Sequence, residues 1–184
     1  TNPSKKIPEE FYKYDQWGNL NYVAAADGNG ELIDNPQLGW CIRRQVYDLR
    51  GNVLEEAYFN KEDRPVVSKE IGCHKVKAVY SAAGDRTELA YFNADGSPSN
   101  GLYGYHREVD KYNDKRQLLS MAIYDTKGRA TNSTAGFHRI DLTYNTDGVA
   151  VTRKFYTASG ALMGMQRWNG SDWVNVEQQS SASI

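Results

Sequence analysis

Three histidines in this chain occupy one repeated position. His74, His106 and His138 each stand two residues after a glycine (Gly72, Gly104, Gly136), and Cys41 stands at the same place after Gly39. Imidazole and thiolate are good ligands for zinc or copper, so the column is a candidate metal ladder. Spacing argues against it. If each unit holds two strands, equivalent residues lie roughly 10 Å apart at about 4.8 Å per strand. Metal–nitrogen bonds near about 2.1 Å cannot bridge that gap. The expected role is packing against tyrosine and hydrogen bonding to a turn, with no metal or other cofactor. Cys41 and Cys73 fall two and one residues after their glycines, so they face opposite ways and are expected as free thiols.

A second set lies beside the first. Trp40, Cys73, Tyr105 and Phe137 follow the glycines directly, and Ile42, Lys75, Arg107 and Arg139 come two residues later. Alternate residues of a strand share a face. An outward row of rings beside a row of cations suits stacking on sugars, gripping an acidic glycan or docking a peptide. The opposing expectation is a spine in which rings stack on one another and on Arg stems. Trp40, Tyr105, Phe137, Lys75, Arg107 and Arg139 are therefore the candidate ligand-binding residues. Catalysis finds no comparable set: Gly-x-Ser-x-Gly, Walker, His-Glu-x-x-His and Cys-x-x-Cys patterns are all absent. Adjacent carboxylates such as Glu55 and Glu56 point apart on a strand. The chain reads as non-enzymatic.

The elements that must position these residues are repeats. The glycine column steps by 33, 32 and 32 residues. Tyr14, Tyr47, Tyr80, Tyr112 and Tyr144 step by 33, 33, 32 and 32. The pairs Tyr58-Phe59, Tyr91-Phe92, Ile123-Tyr124 and Phe155-Tyr156 hold the same phase, with Ala25-Ala26 before them. The one length change falls between the aromatic pair and the glycine. Units of 25–57, 58–90, 91–122 and 123–154 follow, after a lead (1–10) and a half unit (11–24). A terminal unit (155–176) places Trp168 where glycine is expected, so Trp168 and Trp173 are read as closing the last rung. Residues 177–184 form a polar tail.

Each unit carries two turn signals, such as Asp95-Gly96 and Asp48-Leu49-Arg50-Gly51-Asn52. Arg116 stands where a turn glycine is expected, so that turn must change shape or carry strain. Short segments rich in Tyr, Val, Ile, Phe and Thr fill the gaps, and no helical periodicity appears. The fold expected is all-β, a tandem array of antiparallel β-hairpin repeats of 32–33 residues in one elongated or curved domain, with about three short strands per unit. After the glycine, His74, Val76, Ala78 and Tyr80 read as the core face, and Cys73, Lys75, Lys77 and Val79 as the solvent face. Arg43, Gln45, Glu108 and Asp110 break that pattern. Ala24, Ala57, Ala90 and Ala122 form a small-residue column.

Tyr14-Asp15-Gln16-Trp17-Gly18-Asn19 and Tyr47-Asp48-Leu49-Arg50-Gly51-Asn52 resemble the YD repeats of bacterial rearrangement-hotspot proteins. Tyr91-Phe92-Asn93-Ala94-Asp95-Gly96-Ser97, followed by Gly104-Tyr105, resembles choline-binding and glucan-binding cell-wall repeats. The resemblance spans about residues 11–165. It departs where Asn19 and Asn52 replace the Arg usual after the YD turn glycine, and it implies a stack of hairpins rather than a ligand. It also implies an extracytoplasmic or cell-surface setting.

The charge balance narrows the partners. Lys and Arg number 22 and Asp and Glu 23 in 184 residues, a net charge of −1. That leaves no basic footprint for nucleic acid or an anionic membrane, and no run of apolar residues is long enough to insert in a bilayer. The chain starts at Thr1 and reads as a segment of a longer product. The expected function is a non-enzymatic repeat module for binding or protein interaction, part of a bacterial surface or secreted protein, with a protein or a carbohydrate as ligand. A carbohydrate or cell-wall module using the aromatic row and a structural spacer or shell are the alternatives. Edge strands of such an array invite self-association.

Overall fold

The computed structural model describes residues 9–176; residues 1–8 of the lead and the 177–184 tail lie outside the described residues. Twelve strands follow one another in a single antiparallel sheet whose spatial order is the chain order, and the sheet is not closed. They are β1 (Glu9–Tyr14), β2 (Leu20–Ala26), β3 (Ile42–Tyr47), β4 (Val53–Phe59), β5 (Lys75–Tyr80) and β6 (Arg86–Phe92). The second half continues with β7 (Arg107–Tyr112), β8 (Leu118–Tyr124), β9 (Arg139–Tyr144), β10 (Ala150–Tyr156), β11 (Leu162–Trp168) and β12 (Trp173–Asn175). The all-β array of hairpin repeats is thus present, with two strands per unit rather than three.

Tight hairpins join β1–β2, β3–β4, β5–β6, β7–β8 and β9–β10. In the second, Gly51 N–H donates to Asp48 C=O at 3.1 Å and Asp48 N–H to Asn52 C=O at 3.0 Å. The Asp48 carboxylate also accepts the amides of Arg50 and Asn52 at 2.8 and 2.9 Å. An Asx residue that bonds forward in this way is why Asp or Asn opens four of the five turns. The fourth turn keeps the same shape despite Arg116, which sits at φ 62°. Its backbone carries the strain, and its guanidinium reaches the neighbouring tip, bonding Asp85 at 2.8 Å. Gln117 likewise donates to Gly148 C=O at 3.2 Å. Successive tips therefore lean on one another along one side of the sheet.

Longer connections join β2–β3, β4–β5, β6–β7 and β8–β9 on the opposite side. After each aromatic pair the chain turns, forms one isolated bridge (Ala26 with Leu32, Phe59 with Pro65, Phe92 with Pro98, Tyr124 with Ala130) and curls away. These bridges are what remains of the expected third strand. The reason is competition for one edge. Tyr58 accepts from Val66 N–H at 3.1 Å but donates its own N–H to His74 C=O at 3.0 Å. One residue thus divides its two main-chain groups between the connection and the next strand. Ala25, Tyr91 and Ile123 divide theirs in the same way.

The connections stack. Lys69 N–H donates to Leu38 C=O at 2.8 Å, Leu102 N–H to Ile71 C=O at 2.9 Å and Thr134 N–H to Tyr103 C=O at 2.9 Å. They cover one face of the sheet, here the loop face, where Cys73, Tyr91, Tyr105 and Ile123 form a core cluster with Ile71, Val76 and Leu89 against it. The other face, the alanine face, has a smaller cluster of Ala24, Cys41 and Ile42 with Tyr22, Leu32 and Phe59. A single sheet thus buries itself with its own connections. The one-residue length change lies inside the small turn: Ser68 pairs with Cys73, but Gly101 donates to Tyr105.

The terminal unit departs as its missing glycine foretells. β10 runs into β11 through a tight turn at residues 157–161, and β11 pairs along β10 from Leu162 to Arg167 instead of curling away. Trp168 pairs with Trp173, with ring centroids 5.8 Å apart.

Gly72 shows how closely the connections approach. At φ 69°, a Cβ there would meet the Leu102 amide nitrogen at 2.7 Å, whereas one at Gly96, φ 82°, would meet nothing within 4 Å. Alanine at Gly96 is expected to cost about 1 kcal/mol from the left-handed backbone alone. Gly72→Ala adds the collision and is expected to cost about 2–3 kcal/mol in urea unfolding.

Candidate functional site

The histidine column has a structural job. His74 Nδ1 lies 2.8 Å from Tyr58 C=O, His106 Nδ1 2.7 Å from Tyr91 C=O and His138 Nδ1 2.6 Å from Ile123 C=O. Cys41 Sγ reaches Ala25 C=O at 3.5 Å. These are the four carbonyls at which the pairing edge changes hands. A carbonyl only accepts, so Nδ1 carries the proton in each ring. Each imidazole also meets an aromatic ring edge-on, at 5.2 Å for Phe59, 5.3 Å for Phe92 and 5.5 Å for Tyr124. Among the described residues no three His, Cys, Asp or Glu side chains converge as metal ligands. Cys41 and Cys73 are free, buried in clusters on opposite faces, and burial raises both thiol pKa values.

The aromatic row is not an outward row. Trp40 is 6 % exposed and Tyr105 8 %, and Phe137 is half-buried. Trp40 packs on Tyr58 at 5.5 Å, Tyr105 on Tyr91 at 5.7 Å and Phe137 on Phe155 at 5.7 Å, all on the loop face. The cations stand on the other face. Lys75 bonds Glu55 at 2.8 Å; Arg107 lies 5.1 Å over Tyr124 and Arg139 4.3 Å over Tyr156. The cause is local. The chain bends at Cys41, His74, His106 and His138, and the bend interrupts the alternation of faces. His74 consequently sits with Phe59 on the alanine face, opposite Val76, rather than with it.

Two of the sequence's exceptions, Glu108 and Asp110, form a cluster on the loop face, while Arg43 and Gln45 both meet Glu56. Glu108 and Asp110, both 6 % exposed, share Arg86, which reaches Glu108 closely and Asp110 at 3.3 Å. Tyr105 donates to Glu108 at 3.0 Å. Asp110 Oδ1 is buried without a hydrogen-bond partner among the described residues. Burial, and then the Glu108 carboxylate, push the Asp110 pKa up.

Two apolar cavities lie on this face, the first of them against Tyr105 and Glu108 of the cluster. One, of about 200 Å³, is lined by Tyr103, Tyr105, Glu108, Met121, Ser133, Thr134, Ala135 and Phe137. The other, of about 300 Å³, runs from Ala135 and Phe137 past Phe155 to Met163, Met165, Gln166 and Asn175. Sharing Ala135 and Phe137, they form one groove. Larger depressions of about 510 and 490 Å³ lie between hairpin tips, but these are the shallow gaps left by neighbouring turns.

The groove exists because a connection is missing. Connections two, three and four each cover the glycine of the one before: Lys69 over Gly39, Leu102 over Gly72 and Thr134 over Gly104. No fifth connection follows, since β10 enters β11 directly, and only the Met163 methyl reaches Gly136. Of the six candidate residues, Tyr105 and Phe137 line this groove; Trp40, Lys75, Arg107 and Arg139 do not. Phe155, Met163 and Met165 were not candidates, although Trp168 in place of glycine marks the lost connection. The chain matches no family model, and no curated protein matches it.

Buried Asp110 makes stability depend on pH. A carboxyl whose folded pKa is raised binds more protons folded than unfolded, so stability rises as pH falls from its folded pKa towards its unfolded value near about 4. Asp110→Asn is expected to raise the urea midpoint at pH 7 and to flatten that rise. A midpoint lowered by the substitution would show that Asp110 is held in the cluster as a favourable ion.

Proposed function

We propose that the chain is a non-enzymatic binding module that takes a peptide segment of another protein in the groove between Phe137 and Met163. The observation that carries this reading is the end of the loop face, which no described connection covers: Phe137 is half-buried where its counterparts Trp40 and Tyr105 are buried, and Met163 stands open beside it. Met163 is 51 % exposed. Flexible thioethers beside aromatic rings suit apolar peptide side chains. At about 200 and 300 Å³, the two parts of the groove each have room for apolar side chains of a peptide. Sugars prefer open ring faces, and here Trp40 and Tyr105 are buried while Phe137 turns at 60° to Phe155. The resemblance to bacterial cell-wall repeats supports a setting in a secreted or surface protein.

Panning a random-peptide phage library on the folded chain tests this, with a soluble polysaccharide panel in parallel. Enriched peptides are expected to carry apolar or aromatic anchors and to lose at least about tenfold in affinity on Met163→Glu, a difference of about 1.4 kcal/mol. The variant's melting temperature should stay close to that of the parent. Enrichment that survives Met163→Glu, no enrichment at all, or binding to a polysaccharide alone would overturn the proposal.

A further inference from the structure

The stacked connections define a series of donors and acceptors. The residue that begins each small turn's interior is the donor: Pro36, Lys69, Leu102 and Thr134. The residue before each glycine is the acceptor: Leu38, Ile71, Tyr103 and Ala135. Three donors meet three acceptors, and the two ends are left over. At the first end stands Pro36, which has no N–H to give. At the last stands Ala135, exposed, with no hydrogen bond to its carbonyl from any described residue.

Two more features lie beside Ala135. Ser133 Oγ is buried without a hydrogen-bond partner among the described residues, and Ser133 lines the groove. The Met163 methyl stands 3.2 Å from where a Gly136 Cβ would be, the place taken at Gly104 by the Thr134 methyl and at Gly72 by Leu102. A mobile side chain thus substitutes for an absent connection, while the main-chain acceptor and the hydroxyl that would receive one remain unused.

The geometry points to a specific mode of occupancy, which rests on the groove reading above: a loop of another protein docks as the missing fifth connection. Its main-chain N–H bonds Ala135 C=O, continuing the internal series by one step. A small side chain, like that of Thr134 over Gly104, displaces the Met163 methyl over Gly136, and an apolar side chain packs beside Phe137. A polar group of the same loop meets Ser133 Oγ. A second copy of this chain is a poor occupant. Its first connection offers Pro36 in place of a donor, and its remaining donors are engaged internally.

The test uses peptides selected on the chain, resynthesised with each amide in turn replaced by an ester, which removes one N–H. One position, adjacent to an apolar anchor, is expected to lose about 10–100-fold in affinity, as for a main-chain acceptor left unmet. Ser133→Ala is expected to weaken the same peptides without shifting the sensitive position. A flat ester scan in peptides that still need Met163 overturns this mode and leaves the groove reading standing. Peptides indifferent to Met163→Glu overturn both. A dimer in light scattering that Met163→Glu dissolves would make a second copy the occupant and overturn the choice of a foreign loop.

Discussion

Four carbonyl groups hold this fold in register. At Ala25, Tyr58, Tyr91 and Ile123 the sheet edge passes from an outgoing connection to an incoming strand, and the residue concerned serves both. A shared edge is fragile, because either neighbour could extend and displace the other. The side chain of Cys41, His74, His106 or His138 adds a second donor to each carbonyl and, for the histidines, a ring packed edge-on against the adjoining aromatic residue. The connection is thereby held to a single bridge with the strand before it, and the remainder of it is directed over the loop face. Without that division the sheet would have no second layer.

Everything buried follows from this. A lone sheet leaves both faces wet, and this one covers the loop face with its own connections, each resting on the one before. The alanine face is handled differently. Small residues at Ala57 and Ala90 lie between strands bearing Arg44, Lys75, Lys77 and Arg107, and the cations cover the rings beside them: Arg44 over Phe59 at 4.6 Å, Lys77 over Phe92 at 5.7 Å. Such contacts are worth about 0.5–1 kcal/mol each where solvent reaches them. The alanine face is therefore an assembled surface of paired charges, and apolar surface is left open at Phe11, Tyr14 and Trp17 of the first hairpin and at Met163, at the end of the loop face where the stacking of connections stops.

Much of this was legible in the sequence, for physical reasons that differ by element. Hairpins could be read because tight turns demand Asx and glycine at fixed offsets. The opposite facing of Cys41 and Cys73 was legible as well. The placement of Trp40 and Tyr105 was not. Alternation assumes an unbroken strand, and the bend at the histidine position moves one residue across, carrying the rings inward and leaving Lys75, Arg107 and Arg139 on the other face. The third strand is cut short at Leu32 and Ala130 as at Pro65 and Pro98, because the edge residue also pairs with the incoming strand; at the two prolines the missing N–H adds to this. The groove was the least legible feature, since it arises from a connection that is absent, and Met163 gains its position only by standing where that connection would be.

The most direct measurement is amide hydrogen exchange, resolved by residue, on the folded chain. Stacked connections require the amides of Lys69, Leu102 and Thr134 to be protected to the same degree as the central strands, since they open only when a neighbouring connection lifts. Exchange of those three amides at the rate of free peptide, with the strands protected, would contradict the account.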